Sequence, residues 1–283
     1  MSVGSGRRLG RSGRPRRKAG DMVVHIESRD GTTIGFRRLG QGPGLVVVHG
    51  SIATGDEWSR VASALADRFT VHLVDRRGRG LSGDADAYSI DTEIADIAAV
   101  LDAAGPDASL VGHSYGALCA LAAVASGVDV PGLVLYEPPV PVAGPLAGAA
   151  LAPYAAAVDA GDLDRALTIA MIDILRVPAA GVDRLRGTPI WSRMAELAPT
   201  WVRELRVIDG HGPDVTGYAS VTTPTLFLQG SRTAQHHVVA TEALRAVMPD
   251  TRLVEFAGHE HFAHVTTPTA VADAIAEFLT AVR

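Results

Sequence analysis

The sequence predicts an α/β protein, a mostly parallel sheet with helices on both faces, interrupted by a helical cap insertion. Three observations predict it. Short apolar runs alternate with amphipathic stretches over residues 22–139 and again over 221–283, the rhythm of strand and crossover helix. Between Pro138 and Val221 that rhythm stops, and the segment 140–220 reads as helices with turns at Pro141, Pro145, Pro153, Pro178 and Pro189. With 283 residues and 47% hydrophobic side chains, the chain is long enough to bury one catalytic-sized core and still carry an insertion.

Residues 22–27 and 32–39 are expected to open the sheet as a hairpin turned at Asp30-Gly31. Leu45-Val46-Val47-Val48 is a continuous apolar run, hence a strand buried on both faces. A helix near Glu57 to Leu65 and a strand from Thr70 to Val74 follow, ending in the turn Asp75-Arg76-Arg77-Gly78-Arg79-Gly80. Next come a helix from Thr92 to Ala103, a strand Ala108 to Val111, an Ala/Leu-rich helix Tyr115 to Ala125 and a strand Gly132 to Tyr136. A segment as long as 140–220 needs structure of its own. Its apolar positions (Leu146, Leu151, Leu167, Met171, Ile172, Leu175, Trp191, Met194 and Leu197) either pack a small core or line what lies beneath. The chain then closes with a strand Thr225 to Gln229, a helix Val238 to Val247, a strand Arg252 to Phe256 and a helix Val271 to Val282.

Charge is unevenly placed. Residues 1–20 hold seven cations (Arg7, Arg8, Arg11, Arg14, Arg16, Arg17 and Lys18) and no acid, so 19 basic and 31 acidic side chains remain beyond them. Residues 1–21 read as a disordered Gly/Ser/Arg-rich tail, with Met22 a candidate start. A nucleic-acid-binding arm is the weaker reading, and no apolar stretch follows the arginines to make an export signal. Cys119 is the one cysteine, so no intramolecular disulfide forms and a reduced cytoplasm is the expected compartment. No run of 18 apolar residues occurs, so no membrane span is expected. The expected partner is a small, apolar substrate, with neither nucleic acid nor membrane. The oligomeric state is open.

The chemistry sits at Gly112-His113-Ser114-Tyr115-Gly116, a Gly-x-Ser-x-Gly pattern between an apolar strand and a helix. Two glycines let the backbone turn sharply, so the serine hydroxyl projects from the sheet. A serine hydroxyl is a poor nucleophile at neutral pH and needs a base and donors for the oxyanion it creates. The turn His49-Gly50-Ser51 offers one donor, the Ser51 amide, to join that of Tyr115. His49 and His113 are expected to be hydrogen-bonded structural histidines, and His236-His237 an exposed loop pair.

The His-Gly turn, the stretch Asp75 to Ser82, the serine elbow and a late histidine occur in the order that resembles the α/β-hydrolase superfamily over residues 22–283. That resemblance implies Ser114 as nucleophile and a base in Gly258-His259-Glu260-His261-Phe262-Ala263-His264, ahead of Pro268. The stretch is similar to the family's His-Phe-Ala-His form, which favours His261 over His259 and leaves His264 without a catalytic part. The sequence departs from the family in its acid, because Gly230-Ser231-Arg232-Thr233-Ala234-Gln235 carries none. Some members place the carboxylate after the strand that follows the elbow helix, which implies Glu137; Glu260 and Asp75 are the weaker alternatives. Asp75 is better read as anchoring the glycine turn. The expected activity is hydrolysis of an ester, thioester or related acyl substrate through an acyl-enzyme. Non-ester chemistry (C–C hydrolysis, lyase or cofactor-free ring chemistry) and a non-catalytic ligand-binding role are the alternatives, since fold alone does not fix the reaction. No cofactor is expected, and His259, His261 and His264 lack the carboxylate set a metal would need.

Overall fold

A computed structural model of the chain describes residues 22–282, so the basic tail over 1–21 lies outside the described residues. Eight strands form one sheet: β1 Met22–Glu27, β2 Thr33–Gly40, β3 Gly44–Val48, β4 Thr70–Val74, β5 Ser109–His113, β6 Leu133–Tyr136, β7 Thr225–Gly230 and β8 Thr251–Phe256. They lie in the order β1-β2-β4-β3-β5-β6-β7-β8. β1 and β2 pair antiparallel, as do β2 and β4, and the remaining neighbours are parallel. The chain runs from β3 outward to β4, then crosses back to β5, so the winding reverses between β3 and β5. In open α/β sheets the crevice at the carboxyl ends of the strands flanking such a reversal is where ligands bind.

Alternation along the strands builds two cores. Val46, Val48, Leu110, Leu133 and Leu135 face one side. Leu45, Val47, Val111, Val134 and Tyr136 face the other, with helices α1 (Ser59–Leu65) and α10 (Pro268–Ala281). On the first side pack α2 (Ile90–Ala104) and α3 (Tyr115–Ala125).

Between β6 and β7 stand α4 (Leu151–Asp159), α5 (Leu163–Ile169), a π-turn at Ala170–Ile174, α6 (Ala179–Leu185) and α7 (Pro189–Gly210). Tyr154, Leu167, Trp201 and Leu205 from these helices join the same apolar cluster as α2 and α3. Pro153 makes no turn; it sits in the first turn of α4, where no N–H is needed. Ile172 faces solvent at 38% exposure rather than a core.

Helix α8 spans Gln235–Val247 and starts three residues before the position expected from periodicity. His236 and His237 therefore belong to its first turn instead of an exposed loop, and His237 is only 5% exposed. The reason is tertiary: both rings have aromatic neighbours to pack on. A short helix α9 covers Ala263–Thr266 before α10. Among the described residues, no helix is long and apolar enough to cross a membrane.

Candidate active site

Four non-glycine residues among those described hold a positive φ: Ile52 (51°), Ser114 (51°), Glu137 (48°) and Arg176 (56°). Such backbone costs of order 1–3 kcal/mol and persists where surrounding structure imposes it. Three of the four follow strands β3, β5 and β6 and converge on the crevice at the sheet's winding reversal.

Ser114 is the hinge between β5 and α3, with φ 51° and ψ −122°. Its amide donates to the Tyr136 carbonyl at 2.8 Å, tying the elbow to the end of β6 one residue before Glu137. Gly116 lets α3 press against β3: a Cβ there would collide with the carbonyl oxygens of Val48 and His49. At Gly50 a Cβ would stand 3.0 Å from the Ser114 Cβ, so the 49–51 turn packs directly against the serine. The Tyr115 amide, at the first position of α3, has no intrahelical acceptor and lies at the positive end of the helix.

Glu137 is fully buried, and each of its carboxylate oxygens is held. Oε1 accepts the Gly230 amide at 2.8 Å, while Oε2 accepts the Thr233 hydroxyl at 2.8 Å and also contacts Nδ1 of His261. A carboxylate accepts, so Nδ1 carries the hydrogen and Nε2 of His261 is left with its lone pair. Gly230 and Thr233 lie in the loop where the family's aspartate is absent. That loop instead supplies donors to the Glu137 carboxylate at the end of the neighbouring strand.

The His261 loop is bracketed by Tyr136, whose hydroxyl donates to the Glu260 carbonyl at 3.1 Å and accepts the Ala263 amide at 2.8 Å. The ring of His237 lies parallel to that of His261, 8° between planes and 4.4 Å between centroids. His113 packs 4.6 Å from it on another side and hydrogen-bonds the His261 carbonyl through Nε2 at 3.2 Å. Burial holds the pKa of His113 and of His237 well below the ordinary imidazole value, reinforced by neighbouring imidazoles. Both stay neutral and press on His261 without adding charge. Sequence reasoning missed Tyr136, Thr233 and His237, because their contacts span distant segments.

The other candidates are occupied elsewhere. His259 hydrogen-bonds Thr266 at 2.8 Å, and the Glu260 side chain is exposed. Asp75 accepts the amides of Gly55 (2.7 Å) and Leu81 (2.8 Å), which anchors the glycine turn. His49 is buried and neutral; its Nδ1 meets the Gly50 carbonyl at 2.7 Å and Nε2 accepts the Arg76 amide at 3.2 Å. His264, fully buried, stacks on Trp58. Among the described residues, two triangles have ligand atoms close enough for an ion, Glu137–His237–His261 and Glu57–His113–His264, and neither includes His259.

Arg76 and Arg79, in the turn after β4, both reach Glu204 of α7, all three buried. Arg76 also pairs with Glu93 at 2.8 Å and lies 3.4 Å from the Gly50 carbonyl. Burial alone would raise the Glu204 pKa, but the two guanidinium groups outweigh it and hold the carboxyl below its usual range. The insertion is thus pinned to the core beside the 49–51 turn.

A family model described as "Alpha/beta hydrolase family" matches residues 45–274. An alpha/beta hydrolase from Sphaerobacter thermophilus shares 33% identity, with a TM-score of 0.83 over 90% of this chain and 99% of that one. The 2-(acetamidomethylene)succinate hydrolase of Mesorhizobium japonicum is 26% identical over 88% of this chain and 92% of its own length. N-formylmaleamate deformylase of Pseudomonas putida is 42% identical over 112 residues, spanning 37% of this chain and 41% of the deformylase. A pimeloyl-[acyl-carrier protein] methyl ester esterase of Vibrio cholerae is 46% identical over 81 residues, 29% of this chain and 31% of the esterase.

Proposed function

The chain belongs to the alpha/beta hydrolase family, and from that premise we propose that it cleaves an ester, thioester or related acyl substrate through an acyl-enzyme on Ser114. The observation that carries the reading is the buried Glu137 carboxylate on Nδ1 of His261, with Ser114 held on a strained elbow whose amide bonds the Tyr136 carbonyl, one residue before Glu137. His261 Nε2 takes the hydroxyl proton as Ser114 Oγ attacks the acyl carbon, and Glu137 stabilises the imidazolium that forms. The amides of Ser51 and Tyr115 receive the oxyanion; one such donor is worth about 3 kcal/mol. His261 then protonates the leaving group, and water, deprotonated by the same nitrogen, releases the acid. The helices between β6 and β7 act as a cap, latched by Glu204.

The names of the relatives cover an N-formyl compound, an acetamido succinate derivative and a methyl ester, so hydrolysis of an acyl derivative is the element they share. A small-molecule substrate in the cytoplasm fits a chain whose lone cysteine, Cys119, is buried and free. The test is a fluorophosphonate probe with the adduct mapped by mass spectrometry. Labelling is expected at Ser114, lost in His261→Ala and slowed in Glu137→Gln. An unlabelled Ser114 in folded protein overturns the reading and favours a ligand-binding role.

A further inference from the structure

The fourth residue with a positive φ, Arg176, lies away from the triad. It follows the π-turn at Ala170–Ile174 and stands at the rim of a cavity of about 60 Å3. A space of that size holds a few waters or one small functional group. Pro139, Val140, Pro141 and Leu146 form its apolar wall, and Arg176 and His236 form the polar side. π-turns and non-glycine residues in the left-handed region recur at functional sites.

Three features give this cavity a preference for negative charge. Arg176 pairs with no carboxylate among the described residues. Nε2 of His236 is buried and has no hydrogen-bond partner among the described residues, an arrangement that is costly unless a ligand satisfies it. Burial, with His261 and Arg176 nearby, brings the His236 pKa down to about 4, so at neutral pH the ring is uncharged and offers one N–H. His236 also lies in the first turn of the 13-residue helix α8, whose positive end faces an anion favourably. The nearby acids are already engaged, Asp209 by the amides of Leu146 (2.7 Å), Ala147 (3.2 Å) and Gly148 (2.8 Å), and Glu137, whose charge reaches His236, by Gly230, Thr233 and His261.

The cavity also adjoins the reacting end of the sheet. Pro139 is two residues beyond Glu137, and His236 packs on His237 at 4.0 Å, which packs on His261 at 4.4 Å. We propose that this cavity is a carboxylate subsite: Arg176 and the His236 Nε2–H hold an acid group at the far end of the acyl chain, making the substrate a mono-acyl derivative of a small dicarboxylic acid. The proposal rests on the acyl-enzyme reading for catalysis, though not for binding. The apolar wall takes the methylenes and the polar side takes the charge.

The probes are p-nitrophenyl hemisuccinate and hemiglutarate against p-nitrophenyl butyrate and valerate, pairs in which a carboxylate replaces a terminal methyl. The wild type is expected to favour the acidic esters in kcat/KM by roughly tenfold or more, the worth of a charge-assisted hydrogen bond. Arg176→Ala should erase that ratio mainly through KM, Arg176→Lys should restore part of it, and His236→Phe should lower it severalfold. Calorimetric titration of Ser114→Ala with glutarate reads the subsite without turnover, and binding should vanish when Arg176→Ala is added. A ratio indifferent to Arg176, with glutarate binding also unaffected, overturns the subsite. Arg176-dependent glutarate binding in a protein that hydrolyses none of the four esters keeps the subsite and overturns the acyl-enzyme reading instead.

Discussion

Two histidine–glutamate pairs flank His113, and they are built the opposite way round. In one, Glu137 is completely buried while the His261 side chain keeps 19% of its surface exposed. In the other, His264 is completely buried while Glu57 keeps 29%, the two meeting at 3.1 Å. Both rings pack on His113, at 4.6 and 4.3 Å. The inverted burial sets what each pair can do. A dry carboxylate fixed by Gly230 and Thr233 cannot turn away from its histidine, whose side chain keeps some exposure. A wet carboxylate on an imidazole closed over by Trp58 at 4.7 Å has no nitrogen to offer a substrate. The first pair is the one the proposed mechanism uses for proton transfer; the second holds the His261 loop against the start of α1.

Exchanging each carboxylate for its amide gives the widest separation. Glu137→Gln is expected to lower kcat by up to about 10⁴-fold, as for loss of an orienting carboxylate, while Glu57→Gln changes it by less than about twofold. Steady-state kinetics on p-nitrophenyl butyrate read both, and equal losses would erase the distinction. Thr233→Val removes one donor to Glu137 and nothing from Glu57. A fall in kcat of about tenfold is expected, since one hydrogen bond to a charged group is worth about 1.5–3 kcal/mol. His264→Ala takes a stacked, buried ring out of the second pair. It should cost about 2 kcal/mol or more of stability in urea melts, with kcat reduced only a few-fold.

A third comparison lies in the histidines around the two pairs. His113 and His237 are neutral in the fold, with pKa values below the ordinary imidazole value that they regain on unfolding. As pH falls through about 6.5, the unfolded chain binds protons that the folded one refuses. Stability is therefore full above that pH and declines below it, by up to about 1.4 kcal/mol per unit for each histidine. Thermal melts between pH 7.5 and 5 should show the decline, shallower in His237→Gln. A flat profile would mean that these rings are not dry.

Much of the fold was legible because strand patterning is local. Leu45 to Val48 and Leu133 to Tyr136 declare buried strands by their own composition, and Gly112 to Gly116 declares the elbow by what surrounds it. Helix α8 begins before its apolar periodicity does, because His236 and His237 are polar by type and are drawn inward by the stacking of His237 on His261 from elsewhere in the chain. The acid's support was illegible for a related reason. Gly230 to Gln235 reads as a loop lacking a carboxylate, and nothing in it shows that Gly230 and Thr233 serve Glu137, 93 and 96 residues earlier. The Arg76–Glu204 bond spans 128 residues and was equally invisible.

By itself the sequence determined the order of strands and helices, the sharp turn at Ser114 and the chemical types available at the site, since these depend on neighbours within a few positions. Only the tertiary structure decided which glutamate is dry, which histidine stays open and which arginines meet the insertion. Burial and charge pairing are properties of segments brought together by the winding of the sheet, and hydrophobic periodicity carries no record of them.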